Sequence, residues 1–145
     1  MSRIVVGFDA SPAAEAALMV ALEEAKLRKL PLRVVCSWEI PALELTGAAF
    51  ANTSDLAEAA ERHARTVLAA AEASLGPDPG VPVETMAVHG HPATVLAEEA
   101  QEATLVVVGT RGSSTLKGIL IGSVSQALSH HCTAPLVIVP APDDE

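Results

Sequence analysis

Two apolar runs constrain this chain more than any other feature. Ile4 to Phe8 reads IVVGF and Thr104 to Val108 reads TLVVV, and neither alternates polar with apolar as a strand with one wet face would. Runs of this kind fit strands buried on both faces, which occur in parallel sheets covered by helices. The intervening residues supply the helices. Ser11 followed by Pro12 is a cap with proline at the first helical position and predicts a helix to about Lys29, with Ala14, Leu18, Ala21, Leu22 and Ala25 as its buried stripe. Pro31 breaks that pattern, and Leu32 to Trp38 (LRVVCSW) reads as a second strand.

Ser54 and Asp55 open a long Ala-rich helix closed by Gly76, its predicted inner face being Leu56, Ala59, Ala60, His63, Val67, Leu68 and Ala71. PDPG at 77–80 is a turn, and Val83 to Val88 is a less apolar strand expected near a sheet edge. Pro92 opens a short helix to about Glu102, Ser123 another to about His130, and Pro135 to Val139 (PLVIV) is the last strand. Glu39 to Thr53 is the longest stretch without periodicity and reads as a flap near the strand ends. Five strands alternating with four helices is the doubly wound α/β pattern, in which ligands bind at the carboxyl ends of the strands. The two most apolar strands end at Asp9 and Gly109, so those two loops are nominated as the walls of one crevice.

Composition narrows the partners. The 145 residues suit one domain over residues 1–145, and 50% hydrophobic content allows a sizeable core. With 2% aromatics, no Tyr and a formal charge of −9, stacking platforms and phosphate-tracking basic faces are both lacking, which argues against nucleic acid. The start, MSRIVVGFDAS, meets Asp9 before a signal-peptide core is complete, and there is no run of about 20 apolar residues to span a membrane. A cytoplasmic location is expected, with Cys36 and Cys132 as reduced thiols. His89 with His91 and His130 with His131 lack a third ligand, so no metal site is assigned. The serines form no nucleophile elbow, and no catalytic residue is assigned.

Chemistry concentrates after the Thr104–Val108 strand. Gly109, Gly112 and Gly122 punctuate VVVGTRGSSTLKGILIGS, with nine residues between the last two and Ser123 at the predicted start of a helix. Glycines let a backbone approach phosphates, and a helix start offers amides and a positive dipole end to anionic oxygens. Taken singly, Gly109 reads most often as a strand-ending turn and Gly122 as a common helix-start residue, and it is their joint placement that points to phosphate. Arg111 and Lys117 lie in the loop and are secondary candidates for phosphate contact, although exposed basic residues are usually solvated. Asp9, two residues before Ser11, either caps the first helix or accepts loop amides, or else serves a ligand.

The pattern G-x2-G-x9-G-[ST], filled by Gly109, Gly112, Gly122 and Ser123, resembles that of the ATP-binding subgroup of the universal stress proteins. IVVGFDAS, GHPATVLAEEA, GSVSQAL and APLVIVP resemble that family along the rest of the chain. The resemblance implies a Rossmann-like fold of the adenine nucleotide alpha hydrolase type, strand order 3-2-1-4-5, and ATP, with Mg2+ as a possible companion, in the crevice. It implies Asp9 near the ribose or a metal-bridging water, Ser37 beside adenine, Ser123 on a phosphate, and Val124 and Ser125 as lesser contacts. It also implies a homodimer through Pro135 to Val139. The family's usual pair at the end of the second strand is replaced here by Cys36 and Ser37. A small ATP-binding regulatory module in stress response is the reading this supports. A slow ATPase or phosphotransferase, and a nucleotide-free dimeric interaction protein, are the alternatives.

Overall fold

The computed structural model describes residues 2–40, 53–110 and 121–142. Among these, five strands form one parallel sheet: β1 (Ile4–Gly7), β2 (Leu32–Trp38), β3 (Val83–His89), β4 (Leu105–Gly109) and β5 (Leu136–Val139). Their order is β3-β2-β1-β4-β5, as the resemblance implied. Four α-helices connect them: α1 (Pro12–Arg28), α2 (Thr53–Leu75), α3 (Pro92–Glu99), continued by a 3-10 turn at Ala100–Glu102, and α4 (Ser123–His131).

The apolar runs occupy the positions their composition demands. β1 pairs with β2 on one side and β4 on the other, with Ile4 opposite both Leu32 and Leu105. Strand alternation then divides the core into two layers. Ile4, Val6 and Phe8 join Leu32, Val34, Cys36 and Val107 under α1 and α2, whereas Val5, Val35, Val106 and Val108 join Val95, Leu96 and Leu128 under α3 and α4. β3 and β5 are the edges, and the weaker apolar character of Val83 to Val88 follows from that position.

α1 begins where the sequence predicts. The Ser11 hydroxyl accepts a hydrogen bond from the Ala14 amide at 3.1 Å, with Pro12 in the first turn. The strand-to-helix turn passes through Ala10 in the left-handed region, φ 66°. α1 ends in left-handed Lys29, and the amide of Leu30 reaches back to the Ala25 carbonyl at 3.0 Å. Its buried face consists of Ala13, Ala14, Ala17, Leu18, Ala21 and Ala25, with Leu22 only half-buried. Small residues dominate because the helix lies close on the sheet. A Cβ at Gly109 would stand 2.6 Å from the Ala13 Cβ and 2.8 Å from its carbonyl carbon.

The face of α2 differs from the expectation. Ala64, Leu68 and Ala71 are buried, while Ala59 and His63, placed on the inner face by the sequence, are exposed. The helix seats through its second half, where a 64–68–71 stripe meets β2 and β3. Its first half stands off the sheet and forms one side of a groove. Gly76 ends the region after α2 with φ 79°, its amide bonded to the Glu72 carbonyl at 3.1 Å. Most of the stretch read as a flap, 41–52, lies outside the described residues.

The crowding at Gly109 generates a prediction. Two of the three closest atoms are main-chain atoms of α1, which cannot rotate away, so Gly109→Ala should destabilise the fold by about 1–3 kcal/mol. Urea denaturation of the two proteins measures this, with an unchanged midpoint as the contrary result.

Candidate functional site

β1 and β4 lie side by side, and their carboxyl ends open into a cleft of about 280 Å³. Asp9 enters from the turn after β1, Ser37 from the end of β2, and Gly109 with Thr110 from the end of β4. Gly122, Ser123, Val124 and Ser125 enter from the start of α4. Seven residues named from the sequence, Asp9, Ser37, Gly109, Gly122, Ser123, Val124 and Ser125, therefore line one cavity. Gly112, Arg111 and Lys117 lie outside the described residues.

The geometry separates the roles of these residues. The Asp9 carboxylate accepts a hydrogen bond from the Ser11 amide at 3.0 Å, so it shapes the turn into α1 while also facing the cleft. Ser11, not Asp9, caps α1, so of the structural roles open to Asp9 it is the acceptance of a loop amide that the structure shows. Gly109 is explained by Ala13: its missing side chain lets α1 pack against the strand end. Ser123 is exposed at the mouth, whereas Ser125 is 2% exposed and its hydroxyl donates to the Gly109 carbonyl at 2.5 Å.

Gly122 is the N-cap of α4 and brings no capping side chain. The first intrahelical bond is donated by Gln126 to the Gly122 carbonyl at 3.0 Å, so the amides of Ser123, Val124 and Ser125 precede it at the positive end of the helix. The Gly122 amide bonds the Thr110 carbonyl, and the Thr110 amide bonds Val139 at 2.8 Å. The chain leaving β4 and the chain entering α4 are in this way held together and fixed to β5.

Several lining residues were not singled out from sequence. Gly7, Pro92 and Leu96 contribute to the wall beneath the helix starts. A Cβ on Gly7 would lie 2.7 Å from Leu96 Cδ1, so that glycine inside an apolar strand marks a close approach of α3. Cys36 also lines the cleft, 7% exposed, and shares with Asp9 and Ser37 a second groove bounded by Trp38, Leu56, Ala60 and Val67. Burial pushes the Cys36 thiol up to about 11, and the Asp9 carboxylate adds to the shift by repelling a thiolate.

The histidines have local roles. His89 stacks on Trp38 with ring centroids 4.6 Å apart. Nδ1 of His91 accepts from the Ala93 amide at 3.3 Å and so caps α3. His130 and His131 sit in the last turn of α4, their rings edge to face with centroids 6.4 Å apart.

Comparison with known proteins gives the lineage of this arrangement. Residues 1–140 match the family model described as universal stress protein family. Universal stress protein Rv2005c of Mycobacterium tuberculosis is 36% identical over 139 residues, covering 93% of this chain and 44% of that protein. The chain thus spans less than half the length of that relative. Universal stress protein UspA from Lactobacillus plantarum shares the fold, with a TM-score of 0.78 at 21% identity over 95% of this chain and 97% of that one. A universal stress protein solved in complex with cAMP is 26% identical with a TM-score of 0.61, covering 97% of this chain and 98% of its own.

The state of Cys36 leads to a second expected outcome. At pH 7.5 it is a neutral, nearly enclosed thiol, so iodoacetamide should modify the half-buried Cys132 faster than Cys36. Peptide mass mapping over a time course reads the order, and faster labelling of Cys36 would contradict it.

Proposed function

The chain belongs to the universal stress protein family, and from that membership we propose that its cleft binds an adenine nucleotide, ATP foremost, as a regulatory signal. The observation that carries the proposal is the convergence of the β1 turn, the end of β4 and the amino terminus of α4 on one cleft. In this reading the amides of Ser123 and Val124 and the Ser123 hydroxyl meet phosphate oxygens. Asp9 serves the ribose, and Ser37 with the backbone of β2 borders the adenine. The structural neighbour solved with cAMP supports the adenine class, being a family member of the same fold.

Magnesium fits this donor set as a companion of the phosphates. The described lining carries one carboxylate, Asp9, and the hydroxyls of Ser37 and Ser123, all hard oxygen donors. A triphosphate would add its own oxygens, and the ion would supply charge neutralisation there. Binding is favoured over turnover because the described lining brings no histidine or second carboxylate beside Asp9 to share the work of activating a water. The protein is read as a module whose nucleotide state is sensed by a partner, not as an ATPase.

We further propose a homodimer through β5. Leu136, Val137, Ile138 and Val139 are all half-buried, and β5 pairs with β4 alone among the described strands. An apolar edge strand of this kind is suited to continuing the sheet into a second copy.

Four measurements check these statements. Denaturing the freshly purified protein should release an adenine nucleotide identifiable by mass spectrometry, and Gly122→Val, which adds bulk at a buried lining position, should abolish its retention. Incubation with magnesium and ATP should release no phosphate above a buffer blank. Sedimentation at micromolar concentration should give twice the chain mass. Absence of nucleotide from the wild type, together with no ATP heat in calorimetry, would defeat the binding proposal.

A further inference from the structure

We infer that Ser125 is a positioning residue for the phosphate end of the cleft, acting through its hydrogen bond to Gly109 and not by touching the ligand. The inference rests on the nucleotide reading of the cleft and adds to it how the phosphate-facing amides are held.

Ser125 is one of two polar side chains that are buried among the described residues, the other being Ser11. Each is committed to main chain: Ser11 caps α1, and Ser125 donates to the Gly109 carbonyl at 2.5 Å across a separation of 16 residues. A hydroxyl so short and so enclosed is spent on that carbonyl. Its effect is to tie the first turn of α4 to the last residue of β4. The strand end is itself immobile, because Gly109 is packed against Ala13 of α1 and registers with Val139 of β5.

The second tie is the bond from the Gly122 amide to the Thr110 carbonyl, one residue beyond Gly109 on the strand side and three residues before Ser125 on the helix side. Two successive links therefore fix both the height and the rotation of the start of α4 relative to the sheet. Rotation matters because the Ser123 and Val124 amides converge on the cleft only at one setting of the helix. A hydrogen bond to a charged oxygen weakens steeply once its angle falls below about 120°. Without the Ser125 link, the Gly109 carbonyl loses its donor and the helix start gains freedom to turn away.

The test compares ATP affinity by calorimetry in four proteins at a temperature where circular dichroism shows all of them folded. Ser125→Ala should weaken ATP binding about tenfold, the size expected when one charge-assisted hydrogen bond is lost. Ser125→Thr keeps the hydroxyl and should restore affinity to near the wild-type value. Val83→Ala, at the opposite end of β3 from the cleft, should lower the melting temperature while leaving ATP affinity unchanged. Wild-type affinity in Ser125→Ala, or an equal loss in Val83→Ala, would overturn the positioning role while leaving nucleotide binding intact. If the wild type itself binds no ATP, the nucleotide reading fails and this assignment with it. Should Ser125→Ala not fold, Ser125→Cys, which keeps the shape with a weaker donor, takes its place under the same criteria.

Discussion

The close contact between Gly109 and Ala13 is the constraint on which most of the molecule depends. It sets the distance from α1 to the sheet at the point where β4 ends, and no side chain on Gly109 fits that distance. An Ala-lined α1 is the counterpart: Ala13, Ala14, Ala17, Ala21 and Ala25 let the helix lie low over β1 and β4. With the helix that low, the turn from β1 into α1 is short. It passes through left-handed Ala10, with Asp9 folded back on the Ser11 amide. The wall that carries Asp9 and the wall that carries Gly109 are thus consequences of one packing distance.

The cleft is accordingly a by-product of secondary-structure ends more than of side chains reaching inward. Its polar atoms are main-chain groups at the start of α4 and at the end of β4, joined by a few short side chains: Asp9, Ser37, Thr110, Ser123 and Ser125. In the proposed reading such a site would recognise an anion by direction, since amides and a helix end are fixed in space and lose little freedom when a ligand arrives. A net charge of −9 is therefore no obstacle to the proposed polyanionic ligand.

Much of this was legible in the sequence, for reasons that differ by element. β1 and β4 were readable because strands buried on both faces leave no polar alternation, and α1 because Ser11 and Pro12 fix its start. The inner face of α2 was not. Between Leu56 and Ala71 alanines occupy nearly every register, so periodicity does not choose between the stripe through His63 and the one through Ala64. Contact with β2 and β3 made that choice. The lining of the cleft was found by spacing and resemblance, yet the reason for Gly109 was hidden because its neighbour Ala13 is 96 positions away in the chain. Ser125 likewise looked like a peripheral contact, since the carbonyl it meets cannot be read from a side-chain pattern.

The stacking of Trp38 on His89 has a consequence of another kind. The chain has one tryptophan and no tyrosine, so its near-ultraviolet emission comes from a single indole. That indole stands at the end of β2, next to Ser37 in the chain and over an imidazole 4.6 Å away, while the large aliphatic core around it is optically silent. The molecule is in effect fitted with one lamp, set in the groove that adjoins the cleft, and any event that shifts the end of β2 changes its light without a label being added.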